Sequence, residues 1–130
     1  MSEDPFDLER FVTAQSGGVF EQALEELRAG RKTSHWMWFV FPQHRNLARS
    51  STAKYFGLSG VNEVRAYAEH SILGGRLRAC CEAVLPHLHV EPAATVLGPV
   101  DALKLASSMD IFIAGVPDDR LFRDVRAAIR

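Results

Sequence analysis

The stretch from Gly30 to Arg45, GRKTSHWMWFVFPQHR, brings two tryptophans, two phenylalanines, two histidines, two arginines and a lysine into sixteen positions. Those residue types together can hold an anion. Arg31, Lys32, His35 and Arg45 supply charge and donors, and an arginine fork meets a phosphate or carboxylate with two parallel hydrogen bonds. Trp36 or Trp38 offers an indole face to a base or a cation, and Gln43 can fix a polar edge. A second group lies downstream. At roughly 100° per residue, Asp101, Lys104, Ser107 and Ser108 share one polar arc of a helix. Lys104 and the serines are then expected to face a pocket walled by the tryptophans, with Asp101 orienting Lys104 or acting as a base. The expected lining is Arg31, Lys32, His35, Trp36, Trp38, Gln43, Lys104 and Ser108. If a reaction occurs there, His35 is the first choice for acid–base work and Lys104 for stabilising transition-state charge.

Each group also has a plainer reading. Trp36, Met37, Trp38, Phe39 and Phe41 can be core, with His35 and Gln43 satisfying buried backbone groups. Against that, an indole needs a partner for its N–H, which favours a polar boundary. Asp101 can be a helix cap with an i,i+3 ion pair on a solvated face. Two adjacent serines are neutral to unfavourable inside a helix, however, and call for a reason. His70, with Tyr67 and Arg76, reads as a cap or surface pair before it reads as an acid–base group. His87 and His89 lack further ligands at metal-site spacing, and neither a zinc nor an EF-hand pattern is present. Gly17-Gly18 and Gly74-Gly75 are too short to make a phosphate loop. No metal and no cofactor is expected.

The chain that must position these residues has 130 residues, 47% of them apolar, which suits one compact domain. Its net charge of −1, from 15 basic and 16 acidic residues, argues against a general nucleic-acid or membrane-surface binder, though a local basic patch is compatible with it. The acidic, polar start MSEDPFDLER is unlike a signal peptide, and no apolar run reaches the roughly 18 residues of a membrane span. Cys80 and Cys81 are neighbours and poorly placed to pair with each other, so both read as reduced thiols of a cytoplasmic protein.

Apolar periodicity and punctuation predict six or seven short helices and an all-α fold. Asp4-Pro5 reads as a cap followed by proline at the first helical position. Phe20, Ala23, Leu24 and Leu27 mark a second helix that stops at Gly30. Trp36 to Phe41 is uniformly apolar, so periodicity does not decide between buried helix and strand. No obvious strand partner appears elsewhere, so helix or irregular buried segment is favoured, with Ser34 as a candidate cap. Ser50 or Ser51, and then Ser59, can cap two further helices. Leu73, Leu77, Cys80, Cys81, Val84, Leu85 and Leu88 form the clearest stripe, which Pro86 should kink or end. Helices over Val100–Ala114 and from Leu121 to Ile129 complete the chain.

The residues resemble an uncharacterised bacterial family, domain of unknown function DUF1810. The resemblance rests on DLERFVTAQ (Asp7 to Gln15), GRKTSHWMWFVFPQ, AYAEHSILGGRL (Ala66 to Leu77) and GPVDALKLASSM (Gly98 to Met109). It covers nearly the whole chain, 1–130. Members are sometimes labelled calpastatin, a protease-inhibitor label that these residues do not support. The chain departs from the family at Asn46-Leu47-Ala48, Phe56, Ser71 and Asp110. The resemblance implies an α-helical fold and brings no established activity. The functional expectation is therefore binding of an anionic metabolite, a nucleotide or other phosphate-bearing molecule. The alternative is an interaction module or homodimer face built on the aromatic stretch 35–41.

Overall fold

Nine helices run through residues 3–130, the part of the chain that the computed structural model describes. They are α1 (Glu9–Ala14), α2 (Val19–Ala29), α3 (Met37–Val40), α4 (Ser51–Tyr55), α5 (Val61–Glu69), α6 (Leu73–Leu88), α7 (Ala93–Leu97), α8 (Pro99–Gly115) and α9 (Arg120–Ala128). A short 3-10 turn, Arg45–Leu47, precedes α4. Among the described residues there is no strand, only one isolated parallel bridge between His44 and Leu58. The fold class is all-α, as the periodicity indicates. Nine helices exceed the six or seven expected, and α3, α4 and α7 are only four or five residues long. Elements that short carry little periodic signal and are read from their punctuation, as Ser50 at the start of α4 and Pro92 and Gly98 around α7 show.

Helix α6 is the centre of the packing, with α2, α5 and α9 against it, while α8 lies against α5, α7 and α9. Its stripe is buried as the spacing requires: Leu73, Leu77, Cys80, Cys81, Val84 and Leu88 are all core. Pro86 does not end the helix, which runs on to Leu88. The proline sits in the last turn on the solvent side, where only one backbone hydrogen bond is lost. Asp4-Pro5 departs from expectation in the other direction. Helix α1 starts four residues later, because Asp7 takes a left-handed φ of 52° and breaks the first turn. Asp4 still caps it, accepting from the N–H groups of Leu8 (2.7 Å) and Glu9 (2.9 Å). Gly30 closes α2 in the left-handed conformation, at φ 77°, where glycine avoids the steric penalty of a side chain.

The two cysteines are free, buried thiols. Burial pushes Cys80 up to about 12 and Cys81 well above the ordinary thiol range. Both are therefore neutral packing groups, with Cys81 Sγ 3.9 Å from Met109 Sδ.

Two adjacent glycines separate close packing from open surface. A Cβ on Gly74 would lie 2.2 Å from the carbonyl oxygen of Ala68, whereas one on Gly75 meets nothing within 4 Å. Gly74→Ala is expected to destabilise by about 1–3 kcal/mol through overpacking of the α5–α6 junction. Gly75→Ala should stabilise by about 0.5–1 kcal/mol through helix propensity. Paired denaturant melts check both signs. Equal effects would contradict this packing.

Candidate functional site

Trp36 is the non-helical residue before α3, at φ −141°, and Trp38 lies inside the helix, and the two face different surroundings. Trp36 is core at 1% exposure, beside Met37, Val40 and Phe41, whereas Trp38 is half-buried and walls a cleft. The plainer core reading thus describes Trp36, and the boundary reading describes Trp38.

The indole N–H of Trp36 finds its partner inside the protein. It donates to Glu26 Oε1 at 3.0 Å. The Glu26 carboxylate also accepts from Gln22 Nε2 (2.8 Å), from the backbone N–H of Thr33 (2.7 Å) and Ser34 (3.0 Å), and from the Ser34 hydroxyl. Burial by itself pushes this carboxyl up, but the donors led by Ser34 and Gln22 outweigh it and hold it well below the ordinary range. Ser34 is therefore bound to Glu26, and α3 has no side-chain cap. Sequence reasoning missed Glu26. The available signal was charge order: from Glu26 to Glu63 no acid occurs, while Arg28, Arg31, Lys32, Arg45, Arg49 and Lys54 do.

The cleft walled by Trp38 has a volume of about 460 Å³. Trp38 and Gln43 form one part of its lining, and Lys104, Ser107, Val100 and Leu103 of α8 form another. The segment 47–53, which carries Arg49 and Ser50, supplies the rest. Lys104 Nζ lies 5.0 Å above the Trp38 ring centroid, a cation–π arrangement. Asp101 sits between two lysines. Its Oδ2 is 2.8 Å from Lys32 Nζ and its Oδ1 is 3.7 Å from Lys104 Nζ. Lys32 also donates to the Ser34 carbonyl at 2.6 Å and lies 5.0 Å over the Trp36 ring. With its side chain only 7% exposed, Lys32 is committed to holding the loop against α8. Lys104 shares the same carboxylate at longer range and keeps donors for the cleft. The lining contains two cations, Lys104 and Arg49, and no carboxylate.

Of the residues singled out from sequence, the structure brings together Trp38, Gln43, Lys104 and Ser107. Arg31 is directed elsewhere, forming a two-bond pair with Glu91 at 2.7 and 3.0 Å. His35 is exposed and lines a separate cleft of about 260 Å³ with Gly17, Gly18, Gln22 and Ser34, so His35 and Lys104 do not face one cavity. Arg45 lines a third cleft beside Lys54 and Tyr55. Ser108 is fully buried, and among the described residues its hydroxyl is the one buried side-chain polar atom without a hydrogen-bond partner. His70 Nδ1 accepts from the N–H groups of Ile72 and Leu73, which is the capping role read for it. Tyr67 is core, its hydroxyl donating to the Phe39 carbonyl at 3.1 Å beside Gln15, which donates to the same carbonyl at 2.7 Å. Those two bonds fix the backbone next to Trp38. Arg49, Val100 and Leu103 went unread in the sequence because nothing in their local pattern links them to position 38.

At the level of whole chains, residues 5–128 match the family described as a protein of unknown function, DUF1810. The crystal structure of the conserved hypothetical protein Rv1873 from Mycobacterium tuberculosis is similar, with a TM-score of 0.92 and 44% sequence identity. That match covers 97% of this chain and 89% of the other. No curated protein matches.

Proposed function

The chain belongs to DUF1810, a family of unknown function, and from the geometry of its Trp38–Lys104 cleft we propose that it binds an anionic metabolite, a nucleotide or another phosphate-bearing small molecule. The observation that carries this reading is the lining itself. Two cations and no carboxylate line a cleft with an indole wall, and Asp101, which Lys104 meets at 3.7 Å, is held closer by Lys32 at 2.8 Å. The volume of about 460 Å³ suits a small ligand. Gln43 and Ser107 add neutral donors and acceptors that can orient one. Nothing in the cleft calls for a reaction, and the reading is one of binding.

A thermal-shift series with nucleotides, ADP-ribose, sugar phosphates and simple carboxylates tests it. A ligand at about 100 times its dissociation constant stabilises the native state by about 2.7 kcal/mol, a shift of several degrees for a domain of this size. The shift is expected to shrink with added salt and to vanish in a folded Lys104→Ala protein. A flat series, or a shift that Lys104→Ala leaves intact, contradicts the proposal.

A second reading has its own observation. Leu47, Val100 and Leu103, at the rim of the same cleft, are 55%, 63% and 72% exposed. On this reading the rim is a homodimer face, as the sequence alternative supposed for the aromatic stretch 35–41. Four of the residues from Trp36 to Phe41 are buried, which leaves Trp38 and Phe39 as its share of such a face. A mass by light scattering that rises with concentration, and reverts in Leu103→Glu, favours the face over the ligand site.

A further inference from the structure

The ligand class can be narrowed by asking what the three parts of the cleft each recognise. This step rests on the anion-binding reading above. The segment 43–58 leaves the body and returns to it through two backbone hydrogen bonds, Arg45 N–H to the Leu58 carbonyl and Leu58 N–H to the Gln43 carbonyl, both 2.8 Å. Arg10 ties its base down by donating to the carbonyls of Tyr55 and Gly57. Between those anchors, residues 46–53 make local contacts: Asn46 N–H to His44 Nδ1, Ala48 N–H to the Arg45 carbonyl and Ala53 N–H to Ser50 Oγ. Arg49 is exposed and makes no ion pair among the described residues, yet it lines the same cleft as Lys104 of α8.

A cation from this segment and a cation from α8 thus flank one opening. A phosphate monoester carries a charge of about −1.5 to −2 at neutral pH, which two cations balance and one does not. Arginine meets such a group with a planar fork and lysine with a compact charge. The Trp38 indole presents a flat apolar face suited to a ring system, and Val100 and Leu103 add apolar lining to the same cleft. Gln43 has both an amide donor and a carbonyl acceptor for a ring edge, and Ser50 and Ser107 hydroxyls suit a sugar. In this structure Lys104 lies over the indole. That contact is weak at a half-exposed site, and Asp101, 3.7 Å from the ammonium, is held closer by Lys32 at 2.8 Å, so the ammonium can exchange the ring face for a phosphate.

We infer that the cleft is a nucleoside monophosphate site, in which Arg49 and Lys104 grip the single phosphate and the base lies on Trp38. Calorimetric titration with AMP, GMP, CMP and UMP, with the four nucleosides and with inorganic phosphate tests it. At least one monophosphate should bind saturably, with its nucleoside and inorganic phosphate each at least ten-fold weaker. Arg49→Gln and Lys104→Met should each weaken it ten-fold or more. Arg45→Gln, in the neighbouring cleft, should leave it unchanged. Circular dichroism melts confirm that each variant is folded. Binding of nucleoside as tight as its monophosphate, or full affinity in Arg49→Gln, overturns the inference. If sugar phosphates or carboxylates bind in a Lys104-dependent way and no nucleoside monophosphate does, the inference fails and the anion site stands. If no anion binds, both fail.

Discussion

Replacing Arg10 by methionine is expected to lower the stability of this protein by about 3–5 kcal/mol, the cost of leaving one member of a buried ion pair unmatched. Arg10 and Glu63 are 2.9 Å apart with side chains 5% and 2% exposed. All the guanidinium nitrogens are used. Nε donates to the Tyr55 carbonyl at 2.7 Å, Nη1 to those of Phe6 (2.6 Å) and Asp7 (2.9 Å), and Nη2 to Gly57 (3.2 Å) as well as to Glu63. On the other side, Glu63 Oε1 accepts from the N–H and hydroxyl of Ser59 at 2.8 and 2.9 Å. The arginine therefore joins the N-terminal turn, the base of the 43–58 segment and α5. Glu63→Gln keeps the Ser59 bonds and should cost less than Arg10→Met. A double variant, Arg10→Met with Glu63→Leu, removes the orphaned charge and should recover part of the loss. It will not recover all of it, because four backbone carbonyls lose their donor. Urea melts of the three variants check the order. An Arg10→Met protein within 1 kcal/mol of the parent would contradict the account of how the segment carrying Arg49 is held.

The second large effect is expected at Glu26. Its carboxylate is the shared acceptor for the turn that leads into α3 and for Trp36. Glu26→Ala leaves those buried donors without a partner, at about 1–3 kcal/mol for each one that water cannot reach, for a total of about 3 kcal/mol or more. Glu26→Gln retains one acceptor oxygen and should lose less. The same contacts set a pH dependence. The folded carboxyl titrates below its ordinary value of 4.5. Its contribution is therefore complete above that value and declines as the pH falls below it, because the unfolded chain then binds the proton first. Stability of the parent should drop on acidification below about pH 4.5 more steeply than that of Glu26→Gln. Parallel acid limbs for the two proteins would show that Glu26 is not the buried anion described here.

Both residues illustrate what the sequence conceals. The helical class and the core stripe of α6 are legible from spacing, since Leu73, Leu77, Cys80, Val84 and Leu88 recur on one face and are buried there. Boundaries are less so. Pro86 is tolerated because it falls in an exposed last turn, and Asp4 caps at a distance because of one left-handed residue. In the site, Trp38, Gln43 and Lys104 do meet, but the string 30–45 is not one surface. Lys32 is drawn to Asp101, 69 residues on, and Arg31 to Glu91, 60 residues on, so their charges are consumed by partners no local pattern identifies. Trp36 and Trp38 part company where the chain enters α3, one just before the helix and one inside it. Arg49 enters the cleft only because the 43–58 segment folds back beside α8, a tertiary fact.

The most direct test of the central claim is a tryptophan-emission titration of the wild-type protein and of Trp38→Phe, using phosphate-bearing ligands and simple carboxylates. Trp36 is core at 1% exposure, bonded to Glu26, and edges only the separate cleft of His35, whereas Trp38 lines the Lys104 cleft. A saturable emission change in the wild-type protein that disappears in folded Trp38→Phe is the predicted result. The same saturable change in Trp38→Phe, or none with any anion, would contradict a ligand site at the Trp38–Lys104 cleft.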